Sequence, residues 1–498
     1  MSVATPAVPV TPAPTAASSG RAAALYTLPS VVSMALPFAT LPVMTRWLTP
    51  ADYGALALSQ VVATAFMGFA SLGLGLAVER SYFRYEHEPS RVAALMHTAI
   101  ALVIVAALGV GALLFAVREP LAAALYGEPG WASLMLALSA GSVLNVLTSL
   151  QLGYLRNRGR AVTFVRLTLV SSLVEAGLAV VLVVAGLGVW GLAVAPIVVR
   201  GLFALGLWVR MAYELPPAFD AGLAREMLAI GLPLLPRTCF GVVENGIDRL
   251  LVSWLASLGE VGLLSMANRV GYSTFALMSS IENVYIPHVY REMFKGGSAG
   301  GAIVGRYLTP YFYASVLPAV LVVLFIEEAL WVLVGPAFYG VKVIAAILTA
   351  YYGQMFFGKI TGLQFVYLKL TWYSTPFGAL RVVCHILFAL LLIPRAGALG
   401  AALGLFFTGV IIDGVSCAVA QRKYRIGYEL GTVVPVMLLL YASLAWVIAA
   451  SSWGVSYPAS LAVRIALAVA ALAYGRRWWR DGARRVGPVW RRVRGGAA

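Results

Sequence analysis

Charge is what this chain has least of. Only 11% of its 498 residues are Asp, Glu, Lys or Arg and 61% are hydrophobic, a balance that excludes a soluble globular protein. Three cysteines (Cys239, Cys384 and Cys417) all fall within apolar stretches and support neither a disulfide framework nor a zinc site. There is no Gly-rich phosphate loop, metal-ligand cluster or nucleophile–base motif. Long polar connections are missing as well. The longest outer one, 117–130, offers only Arg118, Glu119 and Glu128, which is thin support for an enzyme such as a glycan polymerase or ligase. Short alternating segments are absent, which excludes a membrane β-barrel. The formal charge of +16 does not point to nucleic acid, because eight of the 36 basic residues crowd into 476–494 and read as an anchor on anionic lipid.

Apolar helix is what fills the chain. About fourteen stretches run from Ala22 to Gly475, each about the ~20 residues needed to cross a ~30 Å hydrocarbon core. The 49 glycines and 25 prolines also suit spanning helices, where neighbouring helices and waters satisfy the backbone groups they free. With the N-terminus in the cytoplasm, 24 Lys/Arg fall on the inner side and four outside (Arg46, Arg118, Lys342 and Arg395). The remaining eight lie within spans. Positive residues stay inside, so both termini are expected in the cytoplasm. The first twenty residues hold no charged side chain and no helical period, which predicts a disordered tail. Arg21 precedes a full-length span, so no signal cleavage is expected.

The chain also repeats itself, at an offset of 208 or 209 residues. Gly54 recurs as Gly262, Ser71 as Ser280, Tyr126-Gly127 as Val334-Gly335, and Gly188-Val-Trp-Gly191 as Gly397-Ala-Leu-Gly400. Leu150-Gln151-x-x-Tyr154-Leu155 answers Leu363-Gln364-x-x-Tyr367-Leu368 at an offset of 213. Six spans per repeat is an even number, so both halves enter the membrane the same way round, as in transporters that rock about a central site. The expected fold is an all-α polytopic membrane protein of two parallel six-helix lobes plus two C-terminal helices. Its divisions are a tail over 1–20, an N-terminal lobe over 21–212, a linker over 213–226 and a C-terminal lobe over 227–421. Two appended helices over 430–475 and a basic cytoplasmic tail over 476–498 complete it.

Arg46-Trp-Leu-Thr-Pro-Ala-Asp-Tyr-Gly54 after the first span, Asn245-Gly-Ile-Asp248-Arg249 with Val261-Gly262, and the Gly188/Gly191 pair carry a family resemblance. On these residues the chain resembles the polysaccharide transporter branch of the multidrug/oligosaccharidyl-lipid/polysaccharide exporter superfamily, which includes the bacterial O-antigen flippases. The resemblance covers nearly the whole chain in helix count and repeat. It implies a V-shaped bundle in the bacterial inner membrane that alternates between inward- and outward-open forms. It also implies a cationic cavity for a polyprenyl-diphosphate head, with the last two helices beside a groove for the lipid tail. The expected partners are a lipid-linked glycan, membrane lipids and polysaccharide-assembly proteins, as in lipopolysaccharide biosynthesis.

A charge at the bilayer centre costs from ~3 kcal/mol upward, so each cation in a span needs a partner, a wet cavity or an escape. These are Arg166, Arg200, Arg237, Arg249, Arg269, Lys359, Arg381 and Arg464, with five of them between Arg237 and Arg381. In the first repeat Gln60 holds the place of Arg269. Arg237, Glu244 and Asp248 share one face of the seventh span, and Arg249 points away from it. Arg237, Arg269, Lys359 and Arg381, with Arg200, are the candidates for gripping a diphosphate; the alternative is that each pairs with a carboxylate to lock helices. Glu244, Asp248 and Glu282 are either proton or Na⁺ coupling sites or counter-ions, and His385 reads more readily as packed than as a proton relay. No cofactor is expected and no coupling ion is assigned. A doubly charged anion leaving a negative-inside cell gains ~4.6 kcal/mol at 100 mV, enough for the potential alone to drive export.

The expected function is a flippase carrying a polyprenyl-diphosphate-linked oligosaccharide from the cytoplasmic to the periplasmic leaflet. A cation-coupled exporter of small, often cationic compounds would want acids and aromatics in its cavity, and here embedded Arg and Lys equal or exceed the acids. A peptidoglycan-precursor flippase stays open beside the first reading.

Overall fold

The computed structural model describes residues 16–297 and 300–495, and side chains at 16–28, 30, 31, 34, 237–240, 243–245, 284 and 477–495 fall outside it. Among the described residues the chain is helical, with no strand. The first half comprises α1 (Ala16–Trp47), α2 (Pro50–Ala70) with its continuation α3 (Leu74–Tyr85), α4 (Pro89–Ala116) and the short α5 (Arg118–Tyr126). It closes with α6 (Ala132–Asn157), α7 (Ala161–Leu182) and α8 (Val189–Glu214). After α9 (Ala221–Gly231) the second half repeats the order: α10 (Leu235–Leu255), α11 (Leu258–Gly296), α12 (Gly300–Leu324) and the short α13 (Ile326–Leu333). Then come α14 (Lys342–Gln354) with its continuation α15 (Phe356–Tyr367), and the long bent α16 (Ser374–Lys423). Two further helices follow, α17 (Leu430–Ser452) and α18 (Tyr457–Gly495).

Among the described residues length and hydropathy pick out ten candidate spans, one of which, Thr371–Lys423, is long enough to cross twice. The helices α1, α10 and α11 are outside that set, and α10 and α11 carry Asp248, Arg249, Arg269 and Glu282. Polarity in a buried helix marks a surface that faces something other than lipid.

The repeat is written in the backbone. Gly188, at the start of α8, has φ 55° and ψ −136°, and Gly397, at the bend of α16, has φ 54° and ψ −131°. Only glycine adopts that region at no steric cost, so both halves turn from fifth to sixth span on the same unusual residue. Three residues on, a Cβ on Gly191 would press on Val183, and one on Gly400 on the Leu392 carbonyl. The helix starts repeat as well. Thr49 caps α2 in a capping box with Asp52, while Ser257 caps α11 by accepting from Glu260 N at 3.3 Å. In the second half the acid reaches further, with Glu260 Oε2 accepting from Ala398 N at 2.8 Å beside the Gly397 bend. The matched glutamines are buried locks: Gln151 donates to Ala204 O at 3.0 Å and Gln364 to Tyr424 O at 2.8 Å.

Three boundaries differ from the sequence reading. Residues 16–20 of the expected tail already belong to α1. The expected linker 213–226 and the seventh span from 227 are divided differently: α8 runs to Glu214 and a separate α9 starts at Ala221, capped by Asp220 through Gly222 N at 2.7 Å. α9 buries Leu223, Ala224 and Met227 against α3 and α4, and a 3₁₀ turn over Leu232–Leu234, with Pro233 inside it, delays α10 to Leu235. Finally, the basic segment from 476 continues α18 as helix to Gly495.

Candidate functional site

One end of the bundle carries Arg80, Arg84, Arg91, Arg156, Arg158, Arg160, Arg422, Lys423 and Arg425 and is called the basic end. At the opposite end the halves are sewn together. A Cβ on Gly54 would collide with the Leu258 carbonyl, and one on Gly262 with the Pro50 carbonyl, so α2 and α11 cross with their backbones touching. Gly335 N donates to Thr45 Oγ1 at 2.8 Å, Trp254 Nε1 donates to Ala124 O at 2.8 Å, and the Tyr53 and Phe338 rings meet edge to face at 5.2 Å. Each of these contacts joins a residue of the first half to one of the second.

Beneath that seam lies a cavity of about 640 Å³ walled by α1, α2, α10 and α11. The first half gives it Phe38, Tyr53 and Gln60, and the second gives it Arg249, Asn268, Arg269, Tyr272, Ser273 and Ser280. Asn268 is held by Tyr352, whose hydroxyl donates to Oδ1 at 2.7 Å. Gln60 and Arg269, matched by the repeat, face the same space from opposite halves. Arg269 lines the cavity, and among the described residues it forms no ion pair.

The other candidate charges are distributed elsewhere. Lys359 forms an ion pair with Glu282, donates to Ser279 Oγ at 2.9 Å and sits over the Phe275 ring at 4.6 Å. Arg381 pairs with Asp413 between the two limbs of α16, and Asp413 is 4% exposed. Arg200 clasps Glu175 with two bonds of 2.7 and 2.8 Å between α7 and α8. Of these cations Arg269 lines the cavity, while Lys359, Arg381 and Arg200 each engage an acid. The side chains of Arg237 and Glu244 lie outside the described residues. Asp248 turns its carboxylate to His385 Nε2 on α16, away from the cavity that the next residue, Arg249, lines. Among the described residues no group of three His, Cys, Asp or Glu suits a metal ion.

Arg249 is the cavity residue that the sequence argument passed over. Successive helical residues diverge by about 100°, so a neighbour of Asp248 that points off the arc of Arg237, Glu244 and Asp248 must look into a different compartment. That compartment is the cavity.

Residues 43–291, which contain Gly54, Gly262 and both cavity arginines, match the family described as "Polysaccharide biosynthesis protein". The chain belongs to this family. A curated relative, the succinoglycan biosynthesis transport protein ExoT of Rhizobium meliloti (strain 1021), is 28% identical over 270 residues, 51% of this chain and 50% of that protein. The match thus spans about half the length of that relative. Among solved structures, the inward closed conformation of the lipid II flippase MurJ aligns with a TM-score of 0.69 at 13% identity, over 92% of this chain and 99% of that one. An inward-facing multidrug resistance MATE family transporter of the MOP superfamily aligns with a TM-score of 0.62 at 14% identity, over 81% and 98%. The family member described here shares the fold of those two structures, that of an all-α, multi-pass membrane protein.

Proposed function

We propose that the chain is a flippase that moves a polyprenyl-diphosphate-linked oligosaccharide from the cytoplasmic to the periplasmic leaflet of the bacterial inner membrane. The observation that carries this reading is the pair Arg249 and Arg269 in a cavity between the halves, closed at one end. Planar guanidinium forks match phosphate oxygens two at a time, and a cavity rimmed by Phe38, Leu56 and Met266 weakens competition from water. A cationic drug would be repelled by the same two groups. The name of the succinoglycan relative fits a glycan cargo.

In this reading the basic end is cytoplasmic, as the positive-inside rule requires, and the seam at Gly54 and Gly262 is periplasmic. The substrate enters between the lobes from the inner leaflet, its diphosphate docks on Arg249 and Arg269, and release requires the seam to part. Arg237 on α10 is a further proposed ligand. Lys359, Arg381 and Arg200, with acids already in place, are proposed to hold helices together. Asp248 and His385, on the back of the helix that presents Arg249, are the proposed seat of a coupling proton; Glu282 serves Lys359.

The test is a flip assay in proteoliposomes holding polyprenyl-diphosphate-linked oligosaccharide, scored by accessibility to an external glycosidase. Protein-dependent exposure that is lost in both Arg269→Ala and Arg249→Ala is the expected result. Normal exposure with both variants would overturn the cationic site. Transport of a peptidoglycan lipid precursor in preference to other glycans would reassign the cargo, and folded protein that moves neither under an imposed potential would overturn the flippase itself.

A further inference from the structure

A second pocket lies on the wall of the first half, nearer the basic end. It measures about 490 Å³ and is bordered by the end of α2, by α3, by Met96 of α4 and by α6. Its polar groups are Ser71, Glu79, Tyr82, Asn145, Ser149 and Asn157. Arg156 at the rim pairs with Glu79 at 3.1 Å. The amides of Asn145 and Asn157 and the Tyr82 hydroxyl make no hydrogen bond to another described residue.

This polarity is not on a helix–helix contact. Gly141, Leu144 and Gln151 turn α6 towards α8, while Leu150 and Tyr154 pack with α3 and α4. Asn145, Ser149, Gly153 and Arg156 follow at spacings of four, four and three on a third face. An amide facing hydrocarbon leaves its donors and acceptors unsatisfied, so that face belongs to a space that holds water or a polar ligand. The α2 helix links this space to the cavity. Tyr53, Ala57 and Gln60 line the cavity and Met67 and Ser71 line the pocket, all on one stripe, and Gln60 to Ser71 spans about 16 Å at 1.5 Å per residue. The matching stretch of the second half carries neither carboxamide nor hydroxyl at the places of Asn145 and Ser149. At the offset of 213 that pairs Tyr154 with Tyr367, Gly358 and Gly362 stand where Asn145 and Ser149 stand in the first half.

We infer that the pocket on α2, α3 and α6 is a saccharide subsite, which holds the first sugars of the lipid-linked glycan while the diphosphate sits at Arg249 and Arg269. This rests on the flippase reading above. Carboxamides donate and accept at once, as sugar hydroxyls require, and the Tyr82 and Tyr154 rings supply apolar faces for sugar C–H groups. The pocket offers no uncompensated cation, because Arg156 is paired with Glu79, and so selects hydroxyls over phosphate.

The test compares binding of undecaprenyl diphosphate with that of undecaprenyl diphosphate bearing a neutral oligosaccharide, using the full chain in nanodiscs. Asn145→Ala is expected to weaken the glycan-bearing lipid about tenfold and leave the sugar-free lipid unchanged, whereas Arg269→Ala weakens both. Asn145→Ala acting equally on both lipids, or on neither, overturns the saccharide subsite. If Arg269→Ala changes neither, the diphosphate reading fails instead. Ser149→Cys gives an independent readout that does not depend on losing a side chain from a packed position. Maleimide labelling at that cysteine should be blocked by the glycan-bearing lipid and not by the sugar-free one; equal blocking by both, or none, also overturns the proposal.

Discussion

Gly54 of α2 and Gly262 of α11 lie against one another's helix starts, and neither position has room for a Cβ: Leu258 O occupies one space and Pro50 O the other. The two residues correspond in the repeat, so each half inserts the same glycine into the same place on its partner. Gly54→Ala should therefore destabilise the sealed arrangement by about 1–3 kcal/mol, the usual cost of overpacking. Spin labels at Ala51 and Gly259 would report it as a longer distance across the seam. An unchanged distance with unchanged transport would show that the seam yields without cost.

Arg269→Ala and Arg249→Ala should each weaken diphosphate binding by about 1.5–3 kcal/mol, or roughly 10- to 100-fold, as expected for hydrogen bonds to a charged group. Arg269→Lys should recover part of the affinity, since it restores the charge without the fork. Titration with a fluorescent polyprenyl diphosphate distinguishes the three.

Lys359 and Glu282 are expected to behave as a structural pair. Lys359→Met alone leaves a poorly exposed carboxylate unpaired and should cost about 3–5 kcal/mol, seen as a lower melting temperature. Adding Glu282→Gln should recover most of it. A double variant that melts normally yet fails to transport would return Lys359 to the substrate site.

Asp248→Asn should abolish stimulation of flipping by an imposed pH gradient while leaving polyprenyl-diphosphate binding intact, because Asp248 faces His385 and not the cavity. Retained stimulation would move the coupling site elsewhere.

Gly188→Ala and Gly397→Ala should both be damaging, at about 1–3 kcal/mol each, since φ near 55° with ψ near −135° is closed to residues with a Cβ. Similar losses of melting temperature from the pair would establish the two turns as equivalent in energy as well as in shape.

The architecture was legible wherever the sequence had to obey geometry. Gly54/Gly262 and Gly188/Gly397 recur because a backbone contact and a backbone turn admit one residue type, and such positions survive in both halves. Charges were harder to place. Whether Lys359 or Arg381 is a ligand or a lock depends on an acid supplied by a distant stretch, Glu282 or Asp413, and no local spacing encodes that meeting. Arg249 was passed over for the opposite reason: the facial pattern of Arg237, Glu244 and Asp248 outweighed a single arginine on the other side of α10. The short α9 was hidden because its apolar residues merge in sequence with those of the span after it, and only Asp220 and the Pro233 turn separate them.

Both cavity guanidiniums are mounted on the second half, and the first half faces them with Gln60. A clasp built this way is lopsided. In the proposed rocking cycle the anion would travel as a passenger of the second half, while the first half would act as a shutter that covers and uncovers it. Loading would then respond to changes in one lobe and gating to changes in the other, so defects of grip and defects of opening should map to separate halves of the gene.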